Sequence, residues 1–207
     1  SQSTINQLVV EKCKPLDLTK YDGVNTSTPM HHGNKYEPLS TRIYEVENKT
    51  EIEEFGCLEH DSIPFIAASP DGINVNPTSK KYGRLIEIKN PVSREIKGIP
   101  KKEYWVQMQM QMYVTELYVC DFLETLFKEY ENEEAFLADG TFMRTKENKR
   151  KGIIVCFNGI KGPIYKYPPV NIDKDECEAW IDETINNNPT LSWIQNSYWR
   201  LETYSCV

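Results

Sequence analysis

The 207-residue chain contains no CxxC pair, and none of its three histidines stands at zinc-finger spacing from a cysteine. Its six cysteines, Cys13, Cys57, Cys120, Cys156, Cys177 and Cys206, are scattered along the whole length. That argues against a structural zinc or iron–sulfur site and for reduced thiols in an intracellular protein. No apolar run approaches the ~18 residues of a membrane span, and no charged n-region leads into an apolar segment. The expectation is a soluble protein of cytoplasm or nucleus, in the host cell if viral, with no membrane partner. The first residue is Ser, which suggests a processed, trimmed or incomplete start. Positive charge is also scarce, with 24 Lys+Arg against 31 Asp+Glu and a net of -7. A nucleic-acid binder usually leans the other way, so any phosphate-binding surface has to be local.

What is present is a globular composition, 39% hydrophobic and 27% charged. A chain of this length buries ~70% of its unfolded surface and needs no disulfide or metal to hold its core. Neither an internal repeat nor a domain linker interrupts it, so residues 1–207 are expected to form one domain. The start, with its short apolar patch Leu8-Val9-Val10, reads as a helix end followed by a loop. Tyr36, Leu39, Ile43 and Val46 recur at helical spacing and predict a helix over His31–Glu47, with Pro38 suited best to a first turn. Strand candidates are Glu53–Leu58, Ile63–Val75 broken at Pro70-Asp71-Gly72, and Arg84–Lys89, together an antiparallel meander. A Met- and Gln-rich helix over Lys101–Tyr118 and a strand over Asp121–Phe127 come next. The most polar stretch, 129–151, is expected to be a loop or insertion. A hairpin across Asn158-Gly159, a helix over Asp173–Asn186 capped by Asp173, and an aromatic tail with Trp193, Tyr198 and Trp199 complete the chain.

The informative segment is Ser69-Pro70-Asp71-Gly72 followed by Glu87-Ile88-Lys89. Alternate strand residues share a face, so Glu87 and Lys89 project together while Ile88 points into the core. If the two strands pair, Asp71 brings a second carboxylate beside them and the Ile88 carbonyl adds an oxygen. Two carboxylates, a backbone oxygen and waters form the shell that Mg²⁺ or Mn²⁺ prefers. Taken alone, Pro-Asp-Gly is an ordinary turn and Glu-x-Lys a solvated ion pair; the conjunction favours chemistry. For His31, His32 and His60, caps or exposed turns are the better account. Core or interface packing suits the tail aromatics better than base stacking.

These residues resemble the signature of the PD-(D/E)XK nuclease superfamily, in its YqaJ-like viral recombinase branch related to phage lambda exonuclease. Gly33-Asn34-Lys35-Tyr36-Glu37 is similar to that branch's Gly-x-x-x-Glu helix, and Ser69-Pro70-Asp71-Gly72 to its Asp motif. Glu87-Ile88-Lys89-Asn90-Pro91 is similar to its Glu-x-Lys-x-Pro motif, and Tyr104 to Gln109 to its Tyr-x-x-Gln-x-Gln helix. The resemblance implies an α/β (α+β) restriction-endonuclease-like core with a central mixed sheet flanked by helices. It implies Asp71, Glu87 and the Ile88 carbonyl as metal ligands, Lys89 as the catalytic lysine, and Glu37 as a further group acting directly or through water. Gln107 would hydrogen-bond within the site. Gln107 and Gln109 lie about 200° apart on a helix, whereas Gln107 and Gln111 share a face.

The implied activity is Mg²⁺-dependent DNA hydrolysis, with Mn²⁺ as a substitute. The expected mode is 5′→3′ exonucleolysis of duplex ends that leaves 3′ single strands for recombination or repair. A structure-specific endonuclease and an inactive DNA-end-binding module are the alternatives. Expected partners are double-stranded DNA ends, a single-strand annealing protein and further copies of the chain. Arg94, Lys97, Lys101 and Lys102, between the Glu-Ile-Lys strand and the Gln helix, are the expected DNA contacts. The chain departs from its relatives in lacking an upstream Arg and a Thr-x-Ser motif before the Gly-x-x-x-Glu helix, for no Arg precedes Arg42.

Overall fold

A computed structural model of the chain describes residues 2–14 and 24–207. Helix α1 (Gln2–Cys13) exposes Ile5, Val9 and Val10. Of the loop expected after it, residues 15–23 lie outside the described residues. Among the described residues no helix is long and apolar enough to cross a membrane.

Helix α2 (Pro29–Asn48) starts where the Thr28 hydroxyl accepts from the His31 amide at 3.1 Å, with Pro29 at the first helical position. It ends at Lys49 in a left-handed turn. Pro38 sits in the helix interior instead of the first turn. The buried stripe is Tyr36, Leu39, Ser40, Ile43 and Tyr44, while Val46 is exposed, so the apolar face follows 36, 40 and 44 more closely than the spacing of aliphatic residues suggested.

A seven-stranded sheet holds the molecule together, in the order β1-β4-β5-β6-β9-β7-β8. Its strands are β1 (Ile52–Glu53), β4 (Gly72–Asn74), β5 (Leu85–Lys89), β6 (Cys120–Glu129), β7 (Lys151–Gly159), β8 (Gly162–Lys166) and β9 (Ser192–Cys206). The remaining strands, β2 (Leu58–His60) and β3 (Ile63–Ala68), form a separate two-stranded ladder, so the expected single meander divides in two. His60, at the end of β2, is half-buried against the Tyr113 ring, 4.8 Å between centroids, and not an exposed turn residue. Helix α3 (Lys102–Thr115) carries the chain from β5 to β6, which run parallel, whereas β6, β9, β7 and β8 are antiparallel in turn. The result is the mixed sheet flanked by helices that the resemblance implied.

Alternation divides the sheet into two packed faces. Tyr36, Leu39, Ile43 and Tyr44 of α2 cover one face, formed by Ile86, Ile88, Leu123, Phe127, Ile154 and Leu201. The other face meets α3 at one end. At the other end Ile153 and Tyr198 pack on Phe136 of α4 (Glu133–Ala138) and Cys177 of α5 (Lys174–Asn186). Helix α5 begins with a full capping box between Asp173 and Glu176.

The stretch 129–151 is therefore more than a polar loop. It folds α4 behind an Asn132 cap and buries Phe136 completely, and Lys151 donates to the Phe136 and Asp139 carbonyls while lying 4.1 Å from the Phe136 ring centroid. The aromatic tail is the inner strand β9. Register shifts at Leu126/Phe127 and Cys156/Phe157 interrupt its alternation, which hid it from a period-two pattern.

Gly72 marks a close approach. A Cβ there would lie 2.3 Å from the Ile52 Cγ2 of β1. Gly72→Ala is expected to destabilise the fold by about 1–3 kcal/mol, and adding Ile52→Ala should recover part of that loss. Urea midpoints of the two variants check this; a Gly72→Ala midpoint equal to wild type would show that β1 yields freely.

Candidate active site

The β4–β5 ladder pairs Gly72 with Ile86, which sets Asp71 opposite Glu87 one step further along. The Asp71 carboxylate accepts from the Ile88 amide at 2.6 Å, which ties the turn to the strand it faces. Glu87 points to the α3 side and is 0% exposed. A carboxylate so buried needs donors on its oxygens. Lys89 supplies one to Oε1, while Gln107 and Gln111 donate to Oε2 at 3.0 and 2.7 Å. The Lys89 ammonium also lies 5.2 Å from the Tyr104 ring centroid.

Asp71, Glu87, Lys89 and Gln107 are thus brought together. Gln111 joins them although it was not assigned to the site. It is fully buried, and the same amide nitrogen reaches the Ser69 carbonyl at 3.2 Å, so one side chain joins α3 to both motifs. Its spacing of four from Gln107 was the available signal. Asn90 is a second addition. Its amide donates to the Ser40 and Thr125 hydroxyls at 2.7 and 2.6 Å and fixes the end of β5 between α2 and β6.

Burial, then the charge of Glu87, pushes the Asp71 carboxyl up to about 7. Glu37, on α2, has its carboxyl raised by burial, then by Glu54, with Glu87 adding and Lys89 opposing. Glu37 therefore lies within electrostatic reach of the pair, without a hydrogen bond to it. Among the described residues no three His, Cys, Asp or Glu side chains converge in metal-ligating geometry. The donor set nonetheless fits a hard divalent cation. A half-buried carboxylate stands opposite a fully buried one, and a cation between them would offset both the burial and the charge of Glu87 that push Asp71 upward. Asp71 and Glu87 would hold it, with backbone and water oxygens completing the shell.

The four expected DNA contacts differ in their surroundings. Arg94 is engaged by the carboxylate of Glu124, and the exposed Lys97 lies 3.4 Å from Glu95. Lys101 and Lys102 are exposed at the start of α3. In the other basic cluster, Lys149 is paired with Glu147 and Glu202, Arg150 with Glu47, and Lys151 is buried.

The profile of the YqaJ-like viral recombinase domain family matches residues 1–118. The chain belongs to this family. An uncharacterised protein of Acanthamoeba polyphaga mimivirus is 36% identical over 215 residues, which cover 86% of this chain and 39% of the relative. The chain thus spans about two-fifths of the length of that curated relative. Two solved structures are also similar: the alkaline exonuclease LHK-Exo from Laribacter hongkongensis, and LHK-Exo in complex with dAMP. They are 22% and 21% identical, each covering 91% of this chain and 77% of its own, with a TM-score of 0.45. The family match takes in α2, β4, β5 and α3 with the turn before β4, and so Glu37, Asp71, Glu87, Lys89, Gln107 and Gln111.

The raised Asp71 carboxyl gives a pH signature in metal-free protein. Its folded value, about 7, exceeds the ordinary 3.8, so the folded state holds the proton more tightly than the unfolded chain. Stability present below pH ~4 is then lost as pH rises through about 7. With chelator present, Asp71→Asn should be about 1–3 kcal/mol more stable than wild type at pH 8. That difference should shrink toward pH 4. Thermal melts across this range check it, and a difference independent of pH would place the proton elsewhere.

Proposed function

We propose that the chain is a metal-dependent DNA nuclease, most simply a 5′→3′ exonuclease that consumes one strand from a duplex end. The product would be a 3′ single strand for recombination or repair. The 207 residues act as one nuclease domain, with 129–151 as an elaboration on it. The observation that carries this reading is the fully buried Glu87, with Asp71 opposite it across the ladder and a lysine and two glutamines on its carboxylate. A purely structural core has little use for two acids held so close together.

Mg²⁺, or Mn²⁺ in its place, would polarise the scissile phosphodiester and offset the charge developing on it. Asp71 and Glu87, with the Ile88 carbonyl, would hold the ion. Glu37 adds negative charge at the edge of the site and acts through ordered water. Gln107 and Gln111 keep the Glu87 carboxylate in one orientation, so it need not reorganise when substrate arrives. Lys89 orients the attacking water as an ammonium or, as the free amine, takes up its proton as the water oxygen bonds to phosphorus. The bond to the leaving sugar oxygen breaks, and that oxygen acquires a proton from solvent.

Lys97, Lys101 and Lys102 are the natural phosphate contacts, because they are exposed on the segment joining β5 to α3. Arg94 borders them. Partners of this activity would be duplex ends, an annealing protein and further copies of the chain.

Labelled duplex incubated with Mg²⁺ is expected to lose 5′ label progressively, with no loss in chelator. Asp71→Ala should abolish cleavage and weaken Mn²⁺ binding measured by calorimetry. Lys89→Ala should still bind Mn²⁺ and DNA but cleave about 100-fold or more slowly. Near-normal turnover in Lys89→Ala would remove the lysine from the chemistry, and internal cuts in a closed circle would favour the endonuclease.

Neutralising Lys97, Lys101 and Lys102 together tests the track. Each lost phosphate contact makes the slope of log K against log salt shallower by ~0.9. Affinity should fall alike for every DNA sequence. A wild-type slope would move the track to Arg144 and Lys146.

A further inference from the structure

Glu124 lies on β6 directly beside Lys89 of β5, two rungs beyond Glu87–Phe122, so all three side chains share the α3 face. It is a carboxylate only 1% exposed. One oxygen takes the Arg94 guanidinium, and the other, Oε2, has no hydrogen-bond partner. Arg94 belongs to residues 90–101, which run from the end of β5 to the start of α3. This strap is pinned at Asn90 on Ser40 and Thr125 and at Arg94 on Glu124, and at the left-handed Gly98 it passes close to β9, where a Cβ would lie 3.2 Å from the Ser205 hydroxyl. It then delivers Tyr104 and Gln107 to the site.

We propose that Arg94 and Glu124 form a positioning pair that latches the 90–101 strap to β6 and keeps Glu124 from drawing the Lys89 ammonium away from Glu87. The proposal rests on the nuclease reading given above. A buried carboxylate stripped of its cation is costly and takes the nearest one available. Lys89, its partner on the neighbouring strand, is that cation. Arg94 thus acts through Lys89 and the strap, and its charge is committed to the protein and not to a DNA phosphate. Its planar fork suits this role better than an ammonium would.

The test is a double-mutant cycle in the full chain. Arg94→Ala should lower kcat roughly 10- to 100-fold with KM near wild type and an unchanged salt slope for DNA binding. Glu124→Gln removes the competing charge and should lose less. Adding Glu124→Gln to Arg94→Ala should raise kcat above that of Arg94→Ala alone, a recovery that loss of a phosphate contact cannot produce. A salt slope shallower by ~0.9 in Arg94→Ala, or a double variant no faster than Arg94→Ala, would overturn the proposal. If Arg94→Ala does not fold, Arg94→Gln, which keeps an amide donor without the charge, replaces it in the same cycle.

Amide hydrogen exchange over residues 90–101 gives a readout free of activity. Exchange should quicken in Glu124→Gln, and unchanged exchange would count against the latch. If wild-type protein cleaves no DNA, the nuclease reading fails while this measurement still decides whether the latch exists.

Discussion

The structure is organised around one carboxylate that cannot reach water. Glu87 sits on an inner strand between a parallel and an antiparallel neighbour, with a helix over it, and is fully buried. Burying an ionised acid is unfavourable unless donors and cations replace its hydration shell. That requirement accounts for the rest of the site: a lysine two residues on, two amides one helical turn apart on α3, and the turn before β4 held by Asp71 on the Ile88 amide. The opposite side of the same strand meets the opposite need, with Ile86 and Ile88 packed against Tyr44. Five residues thus carry both the core and the chemistry.

The second buried acid of β6 is handled differently. Asp121, near the start of the strand, accepts from Tyr44 at 2.7 Å, Lys81 at 2.5 Å and Arg84 at 3.0 Å, and these donors hold its carboxyl below the usual range despite burial. Among the described residues Asp71 accepts only from the Ile88 amide, and burial, then Glu87, pushes it the other way against the weaker pull of Lys89. The contrast separates an acid whose charge the fold supports from one whose charge burial and a neighbouring carboxylate oppose. A fold that leaves such repulsion in place gives up stability that a bound cation would restore.

Much of this was legible in the sequence because the signals were local. Glu-Ile-Lys alternation gives the facing of β5, Pro-Asp-Gly gives the turn, and Asp173 marks a helix start in capping chemistry, whereas the start at Thr28-Pro29 was passed over for His31. Long-range pairing was not legible. Gln111 could be placed on the site only once α3 was known to lie across β5. Arg94 reads as a free cation until Glu124, 30 residues on, is seen beneath it. Strand β9 was missed because two bulges break its alternation, and the packing of 129–151 because one phenylalanine in a polar stretch anchors it.

Strand β9 has a consequence for how the molecule comes into being. It lies between β6 and β7, antiparallel to both, and it is the last strand in the chain order. Until residues 192–206 leave the ribosome, the nascent chain has two fragments of sheet, β1-β4-β5-β6 and β7-β8, with a facing edge on each and nothing between them. The acids of the constellation are all synthesised by then, yet the surface that Phe127, Leu201 and Ile154 share with α2 does not exist. Sheet closure is a long-range event, so the core cannot assemble before residues 192–206 have emerged.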